Sequence, residues 1–67
     1  MHLNNALVRK QLLKAEHESA IAVNAIAHDY EKGKATFGEY HHATNVRMAI
    51  VEACYAAGIT DEEITGL

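Results

Sequence analysis

Residues 36–58 read TFGEYHHATNVRMAIVEACYAAG, and this stretch decides the fold. Thr36 is a natural helix N-cap, and Glu39, three residues on, places a carboxylate where it reaches back to the cap's own N–H. Gly58 follows the last helical position, where glycine takes the left-handed conformation cheaply, and Ile59 supplies the apolar residue that often closes such a cap. Between these ends the helix carries two apolar stripes. With 3.6 residues per turn, Ala43, Val46, Ile50, Ala53, Cys54 and Ala57 fall on one side. Phe37, Tyr40, Thr44, Met48, Val51 and Tyr55 fall on another, leaving Asn45, Ala49, Glu52 and Ala56 as a narrow strip for water. A helix apolar over more than half its circumference is flanked on two sides. A chain of 67 residues holds little else to flank it. The expectation is a second copy, paired through Phe37, Tyr40, Thr44, Met48, Val51 and Tyr55.

Working outward, Asn4 or Asn5 is the expected cap of a first helix, since both side chains accept hydrogen bonds from a first turn. Nothing breaks that helix before Gly33, so it spans about residues 4–32, roughly 43 Å at 1.5 Å per residue. Its main face steps by three or four through Val8, Leu12, Ala15, Ser19, Val23, Ile26 and Tyr30. A thinner stripe on the opposite side holds Leu3, Leu7, Ile21 and Ala25, flanked by Lys10, Lys14, His17 and His28. Gly33 to Thr36 is a short connection, and short connections join antiparallel neighbours. Tyr30 then lies near Tyr40, Val23 near Val46, Ser19 near Ile50 and Leu12 near Ala57. Thr60 to Glu63 repeats the cap pattern before a last turn at about 61–65, with Ile59, Ile64 and Leu67 folded back over the overhang of the first helix. The expected fold is therefore all-α and a single domain over 1–67. It is an antiparallel helical hairpin (about 4–32 and 37–57) plus a short C-terminal helix, assembling as a homodimeric four-helix arrangement.

Composition agrees. Proline is absent and twelve residues are alanine, which suits helices. A single cysteine excludes an intrachain disulfide and a Cys-rich zinc site, so oligomerisation is the remaining support for so small a chain. No run is long and apolar enough to span a bilayer and no stretch reads as a signal peptide, so a cytoplasmic protein without a membrane partner is expected. A formal net charge of −3, with six Lys and Arg against nine Asp and Glu, argues against a nucleic-acid binder.

Five histidines invite a metal reading. A chelating pair on a helix needs a spacing near four. His17 and His28 share a face but are separated by about 16 Å along the axis. His41 and His42 are adjacent and diverge. Only a site shared across an oligomer interface would bring them together, so no metal and no cofactor is assigned. Cys54 lies among apolar neighbours with no base beside it, and Ser19 is the lone serine, with no glycine-rich turn nearby. Glu16 and Arg47 border the packed faces, as an ion pair or as side chains reaching water. The chain thus reads as non-enzymatic, with no catalytic residues.

What remains is binding. The reading preferred is a small regulatory protein that binds and modulates or inhibits another protein, as phage or plasmid inhibitors and antirepressors do. Its partner-binding face would be Leu7, Lys10, Lys14, His17 and Ile21. The basic residues Arg9, Lys10 and Lys14 either dock that partner or pair with Asp61, Glu62 and Glu63. In architecture the chain also resembles the Rop type of RNA-binding hairpin dimer. That resemblance implies the alternative of nucleic-acid binding through Arg9, Lys10, Lys14, Lys32 and Lys34. A structural subunit of a larger assembly is the third reading.

Overall fold

A computed structural model of the chain describes residues 5–66. Three helices follow one another: α1 (Asn5–Glu31), α2 (Phe37–Ala56) and α3 (Asp61–Thr65). The expected cap through Asn4 or the Asn5 side chain, and Leu3, His2 and Leu67, lie outside what is described. The expected boundaries otherwise agree with the observed ones to within a residue or so, because the ends are encoded locally.

The start of α2 is the clearest case. Thr36 Oγ1 accepts from the Glu39 N–H and Glu39 Oε1 accepts from the Thr36 N–H, both at 3.1 Å. Two of the donors that every helix start leaves unpaired are thereby satisfied. At its end, the Gly58 N–H donates to the Tyr55 carbonyl and the Ile59 N–H to the Cys54 carbonyl, each at 2.9 Å. This is the paired closure that needs a left-handed residue, and Gly58 supplies it at φ 82°. α1 stops the same way around Gly33, with Gly33 N–H to Tyr30 O and Lys34 N–H to Asp29 O. Thr60 caps α3 by accepting from the Glu63 N–H at 3.3 Å, and its hydroxyl donates back to Glu63 Oε1 at 3.4 Å, while the same carboxylate also pairs with Arg9 on α1.

α1 and α2 pack antiparallel along their length, and α3 folds back on the start of α1. The molecule measures 48 × 25 × 14 Å, so the hairpin is a single layer of helices. Tyr30 meets Tyr40 with ring centroids 5.6 Å apart at the turn, as the register expectation had it. Towards the open end, Cys54 Sγ lies 3.7 Å from the Leu12 carbonyl, so residue 12 faces residue 54 rather than Ala57.

α1 turns most of its expected main face inward (Leu12, Ala15, Ser19, Val23 and Ile26), whereas α2 is rotated away from the expected face. On α2 the side chains turned inward are Tyr40, Ala43, Thr44, Arg47, Ile50, Val51 and Cys54; on α1 they are Arg9, Leu12, Leu13, Ala15, Glu16, Ser19, Ala20, Val23, Ile26 and Ala27. Val8, Val46, Ala53 and Ala57, expected in the seam, are exposed instead. The seam runs between the two stripes of α2 and takes half of each. The reason lies at its centre, where Arg47 Nη2 donates to Glu16 Oε1 at 3.1 Å. An arginine lays its methylene stem along an apolar groove while its guanidinium reaches outward. A polar pair therefore holds the position that an apolar-stripe argument reserves for hydrophobes.

Candidate functional site

Few apolar side chains leave water completely: Cys54 and Ile59 are buried, joined by the carboxylate-bearing Glu16. The Cys54 thiol is pushed above its ordinary pKa by burial first and by the Glu16 charge second. A protonated, enclosed thiol is a poor nucleophile, so Cys54 acts as a small hydrophobe. Among the described residues there is no pocket and no group of three or more His, Cys, Asp or Glu side chains that could hold a metal ion. No described helix is long and apolar enough to cross a membrane. What the surface offers is area.

Large apolar side chains are unusually open: Phe37 is 62% exposed, Ile21 56%, Leu7 and Met48 53% and Tyr55 51%, with Val8, Val46 and Tyr30 less so. Their placement follows from the seam. In an antiparallel pair, residues rotated in the same sense from the seam on each helix share one broad face. From Glu16 and Arg47, one sense reaches Phe37, Met48 and Tyr55 on α2 and His17 and Lys10 on α1. The other sense reaches Val8, the half-buried Ala15 and Ala22 on α1 and Glu39, Val46, Ala53 and Ala57 on α2.

The sequence-predicted residues are therefore divided. Of the self-association set, Phe37, Met48 and Tyr55 stand on one broad face, whereas Tyr40, Thr44 and Val51 turn part-way into the seam. Thr44 also donates its hydroxyl back to the Tyr40 carbonyl at 3.0 Å. The partner-binding set, Leu7, Lys10, Lys14, His17 and Ile21, is exposed throughout along the outer edge of α1. It continues from the Phe37–Met48–Tyr55 face at Lys10 and His17. At the turn, Phe37 stacks on His41 with centroids 5.7 Å apart and tilts against Tyr30 at 6.1 Å.

The basic start of α1 is divided too. Arg9 pairs with Glu63, while Lys10 and Lys14 remain exposed. Glu63 has its pKa lowered, first by the hydrogen bond from Arg9. A carboxylate with a lowered folded-state pKa contributes stability above its ordinary titration range, and that contribution is lost as pH falls through the folded value. Acidification is thus expected to loosen α3 from α1 before the hairpin melts. Amide NMR signals of Ile64 and Gly66 should broaden or shift below the carboxylate range, and Arg9→Ala should produce the same change at neutral pH. Tyr55 donates its hydroxyl to Asp61, which raises the pKa of that hydroxyl and ties the end of α2 to the start of α3.

Comparison with protein-family models, curated proteins and solved structures finds no match. The surface has to be read on its own chemistry. Sequence reasoning found the exposed edge of α1 and the Phe37–Met48–Tyr55 stripe. It missed the second broad face by assigning Val8, Val46, Ala53 and Ala57 to the interior.

Proposed function

We propose that the chain is a non-enzymatic helical interaction protein that pairs with a second copy and binds another protein to modulate it. One observation carries this reading: a single-layer hairpin with, among the described residues, eight exposed large hydrophobes and no pocket. Contiguous exposed apolar surface rimmed by polar groups marks interaction sites. Helices in globular domains bury their apolar stripes against a second layer, and two helices cannot supply one. Either broad face can carry the self-pairing.

The partner protein docks on the outer edge of α1, where Leu7 and Ile21 act as spaced apolar anchors and Lys10, Lys14 and His17 steer the approach. The test is the double change Leu7→Ala with Ile21→Ala, in a protein shown by circular dichroism to remain helical. With tagged protein as bait in an extract of its native host, capture of the partner is expected to fall at least tenfold. Two truncated anchors at more than about 1 kcal/mol each reach that factor. Undiminished capture removes the α1 edge from the binding site.

Nucleic-acid binding is the weaker reading, because Arg9, one of its five basic residues, is engaged by Glu63.

A further inference from the structure

We infer that two copies of this chain pair through the Phe37–Met48–Tyr55 face about a two-fold axis running along the helices, so that α1 of each copy lies on α2 of the other and Lys10 meets the other copy's Glu52. This rests on the self-association proposed above and adds its seam and its axis. Three observations lead to it.

The first is where the large apolar side chains stand. Phe37, Met48 and Tyr55 are 62%, 53% and 51% exposed on this face, whereas the opposite face offers Val46 at 43% and Val8 at 37% among alanines. Hydrophobic gain follows the apolar area removed from water, so covering three large side chains outweighs covering two valines. Tyr55 already donates its hydroxyl to Asp61, so its ring can be covered without stranding a polar group.

The second is charge. A two-fold interface sets a patch against its own copy, so a charge on it is met only if the same patch carries the opposite sign. The Phe37–Met48–Tyr55 face is bordered by Lys10 on α1 and Glu52 on α2, both exposed, together with His17, His28 and His41. The opposite face carries Glu39 and is bordered by Glu18, Asp29 and His42, and no lysine or arginine of α1 or α2 stands on it. Paired with itself, that acidic face would crowd carboxylates with no such cation to meet them, and like-charge juxtaposition suppresses association.

The third fixes the axis. Cys54 lies beside Leu12, and Arg47 beside Glu16. Lys10 is two residues from Leu12 towards the open end, and Glu52 two residues from Cys54 towards the turn, so their levels differ by about 6 Å. A lysine side chain spans that distance. Both residues are turned away from the seam of their own hairpin. Rotation by 180° about an axis along the helices keeps every level and lays α2 of one copy on α1 of the other, so the Lys10–Glu52 contact forms twice. An axis across the helices would lay α1 on α1 and carry Lys10 to the turn end of the other copy, away from Glu52. Leu7, Lys14 and Ile21 lie further round α1, outside this seam, on the edge assigned to the other protein.

The experiment combines light scattering with variants on each face. The wild-type protein at micromolar concentration is expected to have the mass of a dimer. Met48→Asp, in a hairpin shown by circular dichroism to remain helical, should raise the dimer dissociation constant at least 100-fold, because the charge is buried twice. Ala22→Glu with Ala53→Glu on the opposite face should leave the dimer intact. Lys10→Glu and Glu52→Lys should each weaken it about tenfold, and the two changes combined should recover most of that loss. Dissociation by the double glutamate variant but not by Met48→Asp would put the seam on the other face while self-association stands. Loss without recovery in the charge swap would overturn the axis. A wild-type monomer up to 100-fold higher concentration overturns both the seam and the self-association. Wild-type protein provides a check free of folding effects: in a dimer mixed from labelled and unlabelled copies, intermolecular NOEs are expected from the Met48 methyl to the methyls of Leu13 and Ala20. Intermolecular NOEs confined to Val8, Ala22, Val46 and Ala53 would overturn the assignment.

Discussion

Replacing Arg47 with alanine is expected to lower stability by about 2–3 kcal/mol, a large fraction of what a domain of this size possesses. The Glu16 side chain is 5% exposed and Arg47 Nη2 donates to its Oε1, so removing Arg47 leaves a carboxylate in the seam without its cation. Loss of one partner from a fully buried pair costs about 3–5 kcal/mol. Arg47 is itself 42% exposed, so water softens the loss to below that range. In a domain of this length each kcal/mol shifts the melting temperature by roughly 4–8 °C, so the variant should melt roughly 8–24 °C below wild type at equal protein concentration. Replacing both partners, Glu16→Met with Arg47→Met, should recover most of that loss or exceed wild type, since Arg47 Nε is already enclosed without a hydrogen-bond partner among the described residues. An Arg47→Ala protein that melts within a few degrees of wild type would place the pair at the periphery of the energetics.

The second large effect is expected at Ile59. Ile59→Ala should cost about 2–5 kcal/mol, the range for truncating a buried isoleucine. Ile59 is among the few apolar side chains removed from water, and its N–H also closes the end of α2 on the Cys54 carbonyl. The backbone bond survives the substitution, but the side chain that holds the open end of the hairpin together does not. Denaturant unfolding measures the loss. Hydrogen exchange should show it concentrated in α3 and the last turn of α2, with the residues near Tyr30 and Tyr40 little affected. Truncation of the half-buried Ile64 is the comparison and should cost less than half as much. Equal losses at the two positions would mean that Ile59 has no special role in docking the tail.

The sequence alone was sufficient for the helix ends, the hairpin connection and the short third helix. Those features depend on local rules: a Thr36–Glu39 box, glycines at positive φ after Tyr30 and Tyr55, and a Thr60 cap. Each involves residues within five positions of one another, so no tertiary information is needed to see it. The exposed edge of α1 was legible for a related reason, since Leu7 and Ile21 stand opposite the only stripe dense enough to be a seam. How each helix is rotated was decided by the tertiary structure. α2 has two apolar stripes of similar strength, and periodicity cannot say which faces α1. The outcome was neither stripe but the line between them, set by a Glu16–Arg47 contact across 31 positions of sequence that hydrophobic counting scores against burial. That rotation turned Val8, Val46, Ala53 and Ala57 out of the core and onto a second broad face. Arginine length is the physical reason: its stem packs as a hydrophobe while its guanidinium meets a carboxylate, and a one-dimensional pattern registers only the charge.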